Sequence, residues 1–126
     1  VQWLADWLNA RATKASCVVI DGKNGVDVLN DKIKDIWKAQ DSIIRPTANQ
    51  VIASASLLVD EIGTKQLTWY SKQEILNESA KNATKRPIGK GWGFGGETSG
   101  PIESCALALW GVRNSKRVPG RKQRIG

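Results

Sequence analysis

The sequence predicts an α/β protein, with a short and partly parallel sheet flanked by helices. Two apolar runs rich in β-branched residues, 15–20 and 42–45, alternate with segments whose apolar residues recur every three or four positions. Turn signals divide the two kinds of segment: Asp21-Gly22-Lys23-Asn24-Gly25 closes the first run and Pro46 the second. Strands that alternate with helices along a chain argue for at least some parallel pairing.

Taken in order, residues 1–9 read as a helix, with Trp3, Leu4, Trp7 and Leu8 at helical spacing. Cys17-Val18-Val19-Ile20 is continuous rather than alternating, which suits a strand buried on both faces. Val26, Leu29, Ile33, Ile36 and Trp37 mark one face of a second helix. Residues 42–45 form a second strand. A helix over 48–62 follows, with Val51, Ile52, Ala55, Leu58, Val59 and Ile62 as its core face and Gly63 as its C-cap. Ser71-Lys72-Gln73-Glu74 reads as a capping box opening a helix to about Thr84, and Pro87 ends that unit. Trp92 and Phe94 alternate with glycines in a strand-like segment. Pro101 then sits at the start of a last helix over 102–112. No internal repeat and no interdomain linker is visible.

Composition bounds the function. The chain has 126 residues, enough for one modest core, and its 40% apolar and 25% charged content is that of a soluble globular protein. No apolar run approaches the roughly 20 residues of a membrane helix. Val1-Gln2-Trp3-Leu4-Ala5-Asp6-Trp7 has an acid and two tryptophans where a secretion signal has basic residues, and Val1 in place of Met suggests a trimmed chain. Cys17 and Cys105 lie in apolar runs and read as small buried hydrophobes of a reduced, intracellular protein rather than as a disulfide. The six tryptophans read as core. There is no histidine, which excludes Ser-His-Asp and Cys-His nucleophiles and the usual zinc sites. Any metal chemistry must run on carboxylates, which favours Mg2+ or Mn2+. No phosphate-binding loop of a nucleotide-driven motor is present.

The net charge is +7, yet Arg113, Lys116, Arg117, Arg121, Lys122 and Arg124 come after residue 112 with no acid among them, so only +1 belongs to everything before. Residues 1–112 are therefore a nearly neutral body and 113–126 a basic, flexible tail that points to nucleic acid or an acidic partner, or is a solvated end. Lys85, Arg86 and Lys90 are further phosphate-contact candidates, with Trp92 as a stacking neighbour.

Among the acids, Asp21 stands at the C-terminal end of a buried strand before a glycine loop, the ligand position of an open α/β sheet, although a turn-forming Asp before Gly looks the same. Glu97 lies in a glycine-rich loop, where its carboxylate can reach a metal or face water. Glu103 falls in the first turn of the last helix, where the helix dipole alone favours an acid. Asp60-Glu61 reads as surface charge, because neighbouring helical residues do not share a face.

Several segments together resemble the large terminase subunit of actinobacterial phages and prophages. They are Cys17-Val18-Val19-Ile20-Asp21-Gly22, Gln66-Leu67-Thr68-Trp69-Tyr70, Asn77-Glu78-Ser79-Ala80, Lys85-Arg86-Pro87-Ile88-Gly89, Gly91-Trp92-Gly93-Phe94-Gly95, Pro101-Ile102-Glu103-Ser104-Cys105-Ala106-Leu107-Ala108-Leu109-Trp110-Gly111, and the basic ending. Order and spacing are more specific than any one motif, and the similarity runs from about residue 15 onward.

The resemblance implies that residues 1–112 are the C-terminal portion of a ribonuclease H-like nuclease that cuts concatemeric phage DNA with two divalent metals, Mg2+ or Mn2+. It makes Asp21 the acid after the central strand, and Glu97, or failing that Glu103, the last acid before the final helix. It implies double-stranded DNA as substrate and, as partners, the phage portal, the small terminase subunit or the N-terminal part of the same subunit, in the cytoplasm of a bacterial host. Departures are plain. Glu97 with the additional Thr98-Ser99-Gly100 replaces an aspartate closely followed by the proline, and Trp69 replaces a histidine. The family's first strand, with another aspartate, should precede Val1, so the chain is expected to be a fragment, a prophage remnant or one part of a fold completed by another chain. The alternative reading is a non-enzymatic basic α/β module that binds DNA or a phage protein.

Overall fold

A computed structural model of the chain describes residues 2–22, 26–37 and 42–115. Helix and strand are mixed, and small sheets are flanked by helices. The elements are α1 (Gln2–Asn9), β1 (Val18–Val19), α2 (Val26–Ile36), β2 (Ile43–Ile44), α3 (Ala48–Gly63), α4 (Glu74–Asn82), β3 (Thr84–Ile88), β4 (Gly91–Gly95) and α5 (Gly100–Asn114). They fall into two compact units, one from residues 2–45 with 114–115 and one from Pro46–Arg113.

In the first unit, β1 and β2 pair in parallel, Val18 beside Ile43 and Val19 beside Ile44, and the Ile20 N–H donates to the Ile44 carbonyl at 2.9 Å. The parallel pairing expected from alternation is present, joined through α2. The expected α2 face is also present: Ile33 and Trp37 are buried with Ile20, while Leu8, Ala12, Val26 and Leu29 pack around them. Trp37 satisfies its indole N–H by donating to the Ser42 hydroxyl at 2.8 Å, so a large ring can be buried without an unpaired donor. Trp3 and Trp7, read as core, are instead exposed; α1 buries only Ala5 among its described residues, and the Arg11 guanidinium covers the Trp7 ring at 4.0 Å.

The second unit has its core at Leu58, Ile102, Ala106 and Leu109, with Leu67, Trp69, Leu76 and Phe94 packed against it. Strands β3 and β4 form an antiparallel hairpin from Thr84 opposite Gly95 to Ile88 opposite Gly91. The described strands thus make two separate two-stranded sheets, where the sequence suggested one. Strand β3 itself was not expected: Thr84-Lys85-Arg86-Pro87-Ile88 has no apolar alternation, and Pro87 reads as a breaker.

Three local readings change. The expected capping box at Ser71–Glu74 does not form; α4 starts after Gln73, which makes no side-chain cap, and the Ser71 carbonyl instead accepts from the Asn77 side-chain Nδ2 at 2.7 Å. A capping box does open α3, where the Thr47 hydroxyl accepts from the Gln50 backbone N–H and the Gln50 side-chain Oε1 accepts from the Thr47 backbone N–H. Gly63 is the last helical residue rather than the left-handed cap. The chain turns two residues later, at Lys65 (φ 60°), and Gln66 N–H closes back on Glu61 O.

The face of α3 is rotated from expectation. Ser54, Ala55, Leu58 and Glu61 are buried, whereas Val59 and Ile62 are exposed. Glu61, read as surface charge, is 5% exposed, because Arg113 near the end of α5 supplies both its counter-charge and two hydrogen bonds, at 2.9 and 3.0 Å.

Candidate functional site

Asp21 follows the C-terminal end of β1, where the backbone must turn away from β2. Its Oδ1 accepts the Gly22 N–H at 2.9 Å, and the carboxylate is exposed. Gly22 has φ 123°, a region an L side chain rarely takes, and an added Cβ would lie 2.8 Å from Val26 Cγ2. Arg45, directly after β2, clamps this turn: its guanidinium donates to the Gly22 carbonyl at 3.1 Å and pairs with Asp27 at 3.3 Å. The sequence reading missed Arg45. Its signal was a basic residue just past the neighbouring strand, which becomes meaningful only once the two strands are known to be parallel neighbours.

Glu97 is exposed in the turn between β4 and α5. Glu103 lies in the first turn of α5, as expected, and both its oxygens are engaged: Oε2 accepts from the Ser99 hydroxyl at 2.9 Å, and Oε1 faces Arg86 at 3.7 Å. Arg86 reaches it by lying across the glycine face of β4. Added Cβ atoms on Gly93 and Gly95 would lie 3.7 Å from the Arg86 guanidinium and 2.9 Å from its Cβ. The alternating glycines therefore make room for an arginine, and the intervening Trp92 and Phe94 meet edge to face at 5.4 Å.

The hairpin carries the basic residues outside the tail. Lys85 and Arg86 are exposed on β3, and Lys90 is exposed in the connecting turn. Lys85 stands 4.8 Å from the Trp92 ring centroid, a cation–π contact, so Trp92 is partly covered by a charge rather than open for stacking. Arg113, assigned to the tail, is helical and bound to Glu61, which raises its already high pKa further through the hydrogen bond and the charge. Lys116, Arg117, Arg121, Lys122 and Arg124 lie outside the described residues.

Both cysteines are free and half-buried rather than fully buried, and burial pushes each thiol's pKa upward. As individual donors, the carboxylates of Asp21 and Glu97 suit a hard divalent cation. Among the described residues, no group of three His, Cys, Asp or Glu is gathered so as to hold a metal. No helix of the described residues is long and apolar enough to cross a membrane. No family model, no curated protein and no solved structure matches the chain.

Proposed function

We propose that this chain is the C-terminal part of a terminase-type, divalent-metal-dependent endonuclease that acts on double-stranded phage DNA in the host cytoplasm. The observation that supports this reading is the position of Asp21, exposed directly past a parallel strand, on a turn fixed by Gly22 and Arg45. Asp21 and Glu97, or Glu103 after release from Arg86, are the acids that would hold Mg2+ or Mn2+. When bound, the cation would supply the charge that positions and activates water for in-line attack on a phosphodiester. Lys85 and Lys90 would hold the DNA backbone. The rest of the subunit, the portal and the small terminase subunit are the proposed partners.

A second reading is a non-enzymatic DNA- or phage-protein-binding module. The engagement of both Glu103 oxygens by Ser99 and Arg86 favours it. Titrating isotope-labelled protein with Mn2+ separates the two. The nuclease reading expects paramagnetic broadening of amide signals around Asp21 and around Glu97–Glu103, with the Asp21 signal lost in Asp21→Asn. Broadening at neither place would leave the binding module as the better account.

A further inference from the structure

Ser79 is fully buried on α4, at 0% exposure, and its hydroxyl makes two hydrogen bonds to distant backbone. It donates to the Thr98 carbonyl at 2.5 Å and accepts the Ile102 N–H at 3.0 Å. Thr98 directly follows Glu97, and Ile102 directly precedes Glu103. We infer that Ser79 is a positioning residue, whose single hydroxyl fixes the backbone beside both candidate acids; the inference rests on the nuclease reading above.

The start of α5 explains why such a residue is needed. The first N–H groups of a helix have no partner within it. Pro101 removes one of them by having no N–H. Ser99 stands at the start of α5 but spends its hydroxyl on the Glu103 carboxylate instead of on the helix backbone. The Ile102 N–H is therefore served from outside, by a residue 23 positions earlier in the chain. The same hydroxyl takes the loop carbonyl of Thr98, so the glycine-rich turn after β4 is tied to α4 at the point where it carries Glu97. A turn that leaves β4 at Gly95, passes through Gly96 (φ 107°) and enters α5 at Gly100 has little intrinsic preference for one path. A buried two-way hydrogen bond supplies that preference. Removing the hydroxyl leaves a carbonyl and an N–H without partners, and the loop must move to recover them.

The test uses the same Mn2+ titration on the whole chain. In Ser79→Ala, the Mn2+ needed to broaden Glu97–Glu103 is expected to rise by about tenfold or more, the equivalent of losing one net hydrogen bond. Without Mn2+, the amide signals of β1, β2 and α2 stay as in the parent, which a general loss of structure would not leave intact. Hydrogen exchange at the Ile102 amide accelerates, and Ser79→Thr, which keeps the hydroxyl, restores the parent response. Should Ser79→Ala unfold, Ser79→Cys, close in volume and a weak donor, is read by the same criteria. A folded Ser79→Ala or Ser79→Cys protein with parent-like broadening at Glu97–Glu103 overturns the inference. Absence of broadening at both places in the parent overturns the nuclease reading and this inference with it, a pattern distinct from insensitivity to the substitution.

Discussion

Glu61 on α3 and Arg113 on α5 are joined by two hydrogen bonds, at 2.9 and 3.0 Å, across 52 residues of chain. The pair is asymmetric: the Glu61 side chain is 7% exposed and that of Arg113 48%. A buried carboxylate without its cation is costly, whereas a half-exposed guanidinium without its carboxylate is re-solvated. Arg113→Ala is therefore expected to destabilise the protein more than Glu61→Gln, which keeps the shape and removes the charge. Urea denaturation of both variants checks the order, and equal or reversed effects would place the energetic burden on Arg113 instead.

The same pairing changes the expected role of the tail in DNA binding. With Arg113 committed to Glu61, five basic residues remain beyond it. If all five met phosphates, the log–log salt slope on duplex DNA would gain about −4.5, from roughly 0.9 per contact. Removing residues 116–126 and repeating the salt titration measures the share that engages. Lys85→Ala and Lys90→Ala are each expected to reduce the slope by about 1 if the hairpin touches DNA. An unchanged slope after the tail deletion would move the tail to an acidic protein partner.

What was legible in the sequence is what local periodicity encodes. Ile33 and Trp37 sit on the expected face of α2 because an amphipathic helix writes its buried side at every third or fourth residue. Pro101 marks the start of α5, and the apolar run before Asp21 does hold a strand, although its Val18 and Val19 are half-buried rather than buried on both faces. What failed depends on partners distant in sequence. Glu61 is buried because of Arg113, and no pattern within α3 announces that. Ser79 looks like an indifferent helix residue until Thr98 and Ile102 are seen against it. Strand β3 is set by its pairing with β4, against the breaker signal of Pro87. The site residues Asp21, Glu97 and Glu103 were identifiable as acids next to elements; the ion pair of Glu103 with Arg86 was not.

Cys17 and Cys105 give a pH-dependent expectation. Burial disfavours the thiolate, so the folded state keeps protons that the unfolded state releases. The contribution of these groups to stability is therefore level below the ordinary cysteine range and falls as pH rises past about 8.5. The same shift predicts that iodoacetamide at pH 8 alkylates both thiols more slowly in the folded protein than in urea. Equal rates in the two states would show that neither thiol is protected by burial.

The end of α3 offers a test in which two placements of the cap predict opposite signs. In the structure Gly63 is helical, and an added Cβ at that position meets nothing within 4 Å. Gly63→Ala should then stabilise the protein by about 0.5–1 kcal/mol, because alanine restricts the unfolded chain more and suits the helix better. If Gly63 itself took the left-handed cap, as its place in the sequence suggests, the same substitution would cost roughly 1 kcal/mol or more. The left-handed residue is instead Lys65, with φ 60°. Lys65→Gly removes a strain of about 1–2 kcal/mol and adds roughly 0.5–1 kcal/mol of unfolded-state freedom, so a small net gain is expected. Thermal unfolding of the two single variants and of the double variant decides the matter. Gains in both singles that add in the double keep Gly63 helical and Lys65 as the left-handed residue, and a loss in Gly63→Ala moves the left-handed cap to Gly63.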